Sequence, residues 1–361
     1  MAERVFNFAA GPAVLPESVL LEAQENLFAL PEIGMSILEM SHRSKTVIDI
    51  MDQAEADIRA LASIPDNYSI LFLQGGASLQ FSMIPMNLVA PEGHADHIVS
   101  GHFAKIAFEE ARKVAQIDLA GSTELRGFDR VPRQEELTLN PKADYLHFTS
   151  NNTIFGTEWD EEPDSGRVPL VGDISSNAFS RPLDVSKYGL IYAGAQKNLG
   201  VAGVTMVIVR DDLIERSQDN LPAMLSYKVQ QKSSSAYNTP PVFGVYILGL
   251  VIKWIIDQGG LEEMERRNLE KSRLIYDAID SSKFYSGHAI TEDRSRMNVT
   301  FRLPGPELEQ RFVEEANSNE LAELRGHRSV GGIRASIYNA FPSKGVDALV
   351  SFMKEFERTN G

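Results

Sequence analysis

The amine of Lys197 is the group in this sequence most able to act as a nucleophile. It lies in Tyr192-Ala193-Gly194-Ala195-Gln196-Lys197-Asn198-Leu199-Gly200, between two apolar stretches. The flanking Gly and Ala residues leave room for a bulky group beside it. A lysine so placed is partly desolvated, which lowers its pKa and frees the amine. A lone lysine is more often a solvated loop residue, so the reading needs company. Asp173 supplies some, 24 positions earlier in Val171-Gly172-Asp173-Ile174-Ser175-Ser176. It ends an apolar run, and ligands of open α/β sheets collect at the carboxyl edge of the strands. A carboxylate there can hold a pyridinium nitrogen protonated or, alone, cap a following turn.

Gly75-Gly76-Ala77-Ser78 separates an apolar run from a helical pattern. Free backbone N–H groups at a helix start, with the Ser78 hydroxyl, make an anion cradle. The spacing is neither GxGxxG nor GxxxxGK[ST], so it is not a dinucleotide fingerprint or a P-loop. Two His-Arg pairs stand apart from it, His42-Arg43 and His327-Arg328, together with Arg334 inside Ile333-Arg334-Ala335-Ser336-Ile337. On a strand, Ile333, Ala335 and Ile337 share one face and Arg334 takes the other. A guanidinium facing a cleft can grip a carboxylate through two parallel hydrogen bonds. The five cations suit a ligand carrying both a carboxylate and a phosphate.

Such groups need a frame. The 361 residues, 43% hydrophobic and 24% charged, suffice for a large core split into two domains. Short apolar runs alternate with amphipathic ones, which predicts an α/β fold with a mostly parallel sheet. Strands are predicted at 69–73, 97–100, 145–149, 168–173, 190–193 and 204–209, with helices from 79 until Pro85 and over 105–114. From 259 the pattern changes to helix 261–279, strands 298–302 and 332–337, and helices 307–318 and 346–358. The nearly all-apolar stretch 242–256 carries Lys253 and is too short for a bilayer, so it predicts a buried helix. A net charge of −15 disfavours nucleic acid and anionic lipid as partners. With no cysteine, disulfides, thiolate catalysis and Cys-ligated zinc are excluded. The first residues lack a basic, then apolar, leader pattern, and a cytoplasmic address is expected.

Phe6-Asn7-Phe8-Ala9-Ala10-Gly11-Pro12, Met40-Ser41-His42-Arg43, Ala193-Gly194-Ala195-Gln196-Lys197-Asn198, Tyr237-Asn238-Thr239-Pro240-Pro241, Ser295-Arg296-Met297-Asn298-Val299 and Gly326-His327-Arg328 through Tyr338-Asn339-Ala340 carry a resemblance that runs essentially end to end. It is to the phosphoserine aminotransferase family, a class V group of fold-type-I pyridoxal-phosphate enzymes. The resemblance implies a large domain at 16–258 with a seven-stranded sheet, and a smaller α+β domain at 259–361 that includes segment 1–15. It implies pyridoxal 5'-phosphate, no metal, and transamination between glutamate and a phosphorylated keto acid. Lys197 is expected to hold the cofactor as a Schiff base and Asp173 to pair with its ring nitrogen. Phe103 should stack on the ring, with Thr153 near the ring hydroxyl. Ala77, Ser78 and Gln196 should bind the cofactor phosphate, completed by Asn238 and Thr239 of a neighbouring subunit in a homodimer. Arg43 and Arg334 should bind the substrate carboxylate, and His42, His327 and Arg328 its phosphate. The sequence departs from many relatives at Phe103, where they have Trp, and from some at Ala77-Ser78, where they have Gly-Arg. Among rivals on this fold, a cysteine desulfurase requires the absent cysteine. Alanine–glyoxylate aminotransferases would have no evident use for the two His-Arg pairs. A non-catalytic cofactor-binding regulator could keep Lys197 and Asp173, and an amination assay separates it.

Overall fold

The computed structural model describes residues 4–361. Strand β1 (Phe6–Asn7) leads into helices α1 (Glu17–Phe28) and α2 (Lys45–Leu61). α2 starts where the Ser44 hydroxyl accepts the Val47 N–H at 3.3 Å, and it turns Val47, Met51, Ala54 and Ile58 inward at helical spacing. Then strands and helices alternate: β2 (Tyr68–Leu73), α3 (Gly76–Leu88), β3 (Ala95–Val99), α4 (His102–Ala111), β4 (Ile117–Ser122) and β5 (Leu146–Thr149). A small hairpin, β6 (Asn151–Asn152) and β7 (Thr157–Glu158), precedes β8 (Leu170–Asp173), β9 (Leu190–Gly194) and β10 (Thr205–Arg210).

Seven strands form one sheet in the order β2-β10-β9-β8-β5-β3-β4. The pairs β9-β8, β8-β5, β5-β3 and β3-β4 are parallel, and β10 alone runs antiparallel to both its neighbours. The sequence-based strands fall within a few residues of these. β4 was not predicted. Its burial alternates irregularly and it exposes Asp118 and Leu119, so it lacks the apolar run that marks a central strand. α3 does not end at Pro85 but runs through it to Leu88. Phe81, Ile84 and Leu88 bury against the sheet, and that packing outweighs the hydrogen bond a proline removes.

The remaining chain forms α5 (Asp211–Glu215), α6 (Tyr227–Lys232), α7 (Val242–Asp257), α8 (Gly260–Asp280), β11 (Ser286–Gly287), β12 (Asn298–Arg302), α9 (Pro306–Ser318), β13 (Leu321–Ala322), β14 (Ile333–Ser336) and α10 (Ser343–Asn360). β11, β12 and β14 make an antiparallel sheet, while β1 pairs in parallel with β13. Three apolar clusters follow. α2 and α7 pack on one face of the large sheet, through Val47, Ile58, Val245 and Leu248. Phe81 and Ala107 cover its other face with Val171, Tyr192 and Val207. A separate cluster gathers Phe8, Phe301, Phe312, Ile333 and Phe356. No single helix among the described residues is long and apolar enough to cross a membrane; α7 buries Val245, Leu248, Ile252 and Ile255 in the core.

Candidate active site

β5, β8 and β9 run parallel, so their carboxyl ends share one edge of the sheet. Thr149 ends β5, Asp173 ends β8, and Lys197 follows β9. All three line one cavity, together with Gly76, Ala77, Ser78, Phe81, Phe103, Asn151, Thr153, Ser175, Ser176 and Gln196.

Local structure explains how these side chains arrive. Gly75 caps α3 at φ +89°, where a Cβ would lie 2.6 Å from Leu79 Cβ, so only glycine makes this turn. The first residues of α3, Gly76, Ala77 and Ser78, line the cavity, and their amides have no acceptor in their own helix. Gly101 matters for a different reason. Its backbone is extended, but a Cβ there would collide with Asn152 Oδ1 on the hairpin. Phe103, in the first turn of α4, and Thr153, in the hairpin turn, line the same cavity. The amino-terminal segment closes the other side: Ala13 N–H donates to the Gln196 carbonyl at 2.8 Å, and Gly11 packs on the Lys197 side chain.

The Lys197 amine donates to Thr153 Oγ1 and stands 5.3 Å from the centroid of the Phe103 ring. Burial pushes its pKa down to about 8, with Arg334 adding to the effect and Asp173 opposing it. Asp173 is buried, and burial pushes its pKa up. Its Oδ1 accepts the Ser175 N–H at 2.9 Å and the Ser175 hydroxyl at 2.6 Å, which with Lys197 favour the ionised form. The Thr149 hydroxyl, buried in the lining, has no hydrogen-bond partner in the protein.

Several cations gather near Lys197. Arg334, on β14, is half-buried and close enough to depress both Lys197 and His327. His327 stacks obliquely on His102, with ring centroids 5.8 Å apart, and His102 meets Phe103 edge-on at 5.5 Å. Burial lowers the His327 pKa, and Arg334, His102 and Arg328 lower it further. Among the described residues, no carboxylate lies within 4 Å of Lys197, Arg43, Arg328 or Arg334, although most other arginines of this acidic chain are paired. His102 was missed at the sequence level. It stands outside the His-Arg pairs, and only the fold brings it to His327.

Two pairs lie outside the cavity of their own chain. His42-Arg43 occupies the turn before α2, with Arg43 exposed. Asn238 borders a different hollow with Gln74, Leu79 and Met224, and the Thr239 carbonyl accepts from Gln74 Nε2 at 3.3 Å.

A mostly parallel sheet opening on a desolvated lysine, a buried carboxylate, an aromatic face and unpaired cations defines an enzyme of amine chemistry on small anions. The comparisons narrow that class. The family described as "Aminotransferase class-V" matches residues 5–349, and the chain belongs to it. It is 53% identical over 363 residues to a phosphoserine aminotransferase of Desulfosudis oleivorans, covering all of both chains. The phosphoserine aminotransferase structure from Bacillus circulans subsp. alkalophilus superposes with a TM-score of 0.98 at 48% identity, again over all of both chains. A pyridoxal-phosphate-bound phosphoserine aminotransferase from Trichomonas vaginalis gives 0.93 at 38% identity, over 97% of this chain and 100% of that one. The fold is that of fold-type-I aminotransferases.

Proposed function

We propose that the protein is a pyridoxal-phosphate-dependent phosphoserine aminotransferase of serine biosynthesis. It exchanges the amino group between L-glutamate and 3-phosphooxypyruvate, giving 2-oxoglutarate and O-phospho-L-serine. Action on 3-hydroxy-2-oxo-4-phosphooxybutanoate, in pyridoxine synthesis, belongs to the same reading. One observation carries it: Lys197, Asp173 and Phe103 line one cavity, and Arg334 lies close enough to Lys197 to act on its amine.

The lining suits the cofactor by its donor set. The orphaned Thr149 hydroxyl, the free amides of α3 and the Ser78 hydroxyl offer donors, and Asp173 offers a buried carboxylate. Lys197 would hold the group covalently, Asp173 would face its ring nitrogen, Phe103 would cover a ring face, and Thr153 would face the ring hydroxyl. Ala77, Ser78 and Gln196 would hold its phosphate. When bound, pyridoxal phosphate supplies an aldehyde for the amine and a ring that absorbs carbanion charge. Lys197 Nζ would carry the proton from the α-carbon of glutamate to the cofactor carbon that takes up the amine, and in the second half-reaction would carry one from that carbon to the α-carbon of the keto acid. Its pKa of about 8 lets it do both near neutral pH. Arg334 and Arg43 orient the α-carboxylate common to all four reactants, while His42, His327 and Arg328 bind the phosphate.

A homodimer with shared sites is part of this reading. Asn238, Thr239, His42 and Arg43 then serve the partner's cavity, and the partner's copies serve this one. Supporting it, α1 and the segment after it leave Leu20, Leu27, Phe28, Ile33, Met35 and Leu38 exposed, Phe28 by 91%. The division into a large domain at 16–258 and a small one at 259–361 is likewise proposed, with segment 1–15 joined to the latter. The separate apolar cluster containing Phe8 supports it; residues 1–3 lie outside the described structure. A cytoplasmic address accords with a chain that has no cysteine to cross-link.

The test is a two-step assay. Protein loaded with pyridoxal phosphate should form 2-oxoglutarate from glutamate and then phosphoserine from phosphooxypyruvate. Absence of phosphoserine overturns the proposal. Arg328→Ala should lower kcat/KM for phosphooxypyruvate by roughly 10–100-fold and leave the glutamate half-reaction nearly intact. Equal losses on both would remove Arg328 from the phosphate site.

A further inference from the structure

Asp173 must carry its charge where burial discourages it. Tyr192 and His147, which no step above uses, stand behind it. Asp173 on β8 pairs in register with Thr149 on β5 and Tyr192 on β9, and His147 lies two residues before Thr149. Pairing and period-two alternation put Asp173, Tyr192 and His147 on one face of the sheet. Tyr192 and Asp173 are thus side-by-side neighbours on that face, and the Tyr192 oxygen lies 2.8 Å from His147 Nε2. Behind His147, His97 stacks at 4.6 Å between centroids and 19° between planes, and His97 Nε2 is 3.1 Å from the Tyr145 hydroxyl. All of these groups are buried.

The direction of the hydrogen bonds follows from a count of protons. Burial drives the His147 pKa down to about 3, and His97 is also held neutral, by burial and by His147. A neutral imidazole has one N–H. His147 Nδ1 touches no partner. A proton there would be an orphaned buried donor, whereas an unpaired lone pair is tolerated better. The proton therefore sits on Nε2 and is donated to the Tyr192 oxygen. That leaves the Tyr192 O–H free to point at Asp173, in addition to the two Ser175 donors on Oδ1.

We propose that Tyr192 and His147 are positioning residues: a one-way chain, His147 Nε2–H to Tyr192 O–H to the Asp173 carboxylate, keeps Asp173 ionised and aimed into the cavity. The inference rests on the role given to Asp173 above. The other titratable groups on this chain are Lys197 toward Asp173, Tyr145 and Tyr227 toward Tyr192, and His97 toward His147. Removing the Tyr192 hydroxyl takes a donor from the carboxylate. The Asp173 pKa then rises further, and function that needs the ionised form is lost at a higher pH as acid is added.

The experiment measures the equilibrium Kd of pyridoxal phosphate for the cofactor-free protein across pH, alongside turnover of the loaded enzyme. Tyr192→Phe should weaken binding about tenfold near neutral pH and move the acid limb up by about one pH unit, the loss of one hydrogen bond to a charged group. His147→Leu should do the same more weakly, and His147→Gln, which keeps an N–H near the Nε2 position, should restore most of the loss. If Tyr192→Phe keeps the wild-type Kd and acid limb while Asp173→Asn is impaired, the chain is overturned and the role of Asp173 stands. If Asp173→Asn itself binds and turns over normally, the reading of the site fails first. Should Tyr192→Phe not fold, equal behaviour of His147→Gln and His147→Leu overturns the proposal.

Discussion

Two lysines of this protein are withdrawn from water, and their surroundings differ. Lys271, on α8, is 2% exposed, and its amine donates to the carbonyls of Ile337 at 3.0 Å, Tyr338 at 2.6 Å and Phe341 at 3.3 Å. Every N–H bond of the amine is spent on carbonyls of one loop. Lys197 donates only to Thr153 and faces open space beside Phe103. Burial lowers both pKa values, Lys271 to about 7 and Lys197 to about 8. A depressed pKa therefore does not by itself mark an amine as available for reaction. Spare hydrogen-bonding capacity and room for a ligand do. Lys271 is a tie between α8 and the turn that follows β14, whereas Lys197 is an amine kept free.

The largest effect expected is Lys197→Ala. It should cut turnover by roughly 10⁴-fold, the upper range for a general base, while the melting temperature of the cofactor-free protein stays near wild type. Comparable retention of activity would erase the contrast. Lys271→Met should do the reverse. Three buried carbonyls lose their donor, so stability should fall by about 3 kcal/mol, with turnover per folded molecule changed little. A catalytic collapse in a stably folded Lys271→Met protein would show that the tie also serves chemistry.

The pH dependence sharpens this further. The folded pKa of Lys271 lies below its unfolded value of about 10.4, so between about pH 7 and about pH 10.4 the unfolded chain binds the extra proton. Stability should rise with pH across that window as the cost of burying the charge is relieved. The melting-temperature gap between wild type and Lys271→Met, measured at each pH, should widen accordingly; a constant gap would mean the three carbonyls hold the ammonium charged throughout. The smallest effect belongs to Thr153→Val. It removes the one hydrogen bond of the Lys197 amine and should slow turnover by about two- to tenfold, without loss of the covalent cofactor link.

Much of the site was legible because its signals are local. The apolar run before Gly75, the small residues around Lys197 and the apolar run ending at Asp173 each announce an element and its end. The His-Arg pairs could be noticed by type alone. Other parts were not. β4 is partly exposed and carries no clear apolar pattern, and the packing that carries α3 past Pro85 lies on strands elsewhere in the chain. His102 falls between the predicted strand 97–100 and helix 105–114, and nothing near it in sequence points to His327, against which the fold places it.

Residue types and spacing by themselves determined that a lysine, a carboxylate, a glycine turn and a set of cations sit at the ends of predicted elements in an acidic, cysteine-free chain. Tertiary structure alone decided which of them meet. Asp173, Thr149 and Tyr192 become neighbours only through the order and register of β5, β8 and β9, three stretches separated by long loops. Strand order depends on buried faces matching across the whole sheet, a sum over distant contacts that no local window contains. For the same reason Lys197 and Lys271 could be told apart only once their surroundings had folded around them.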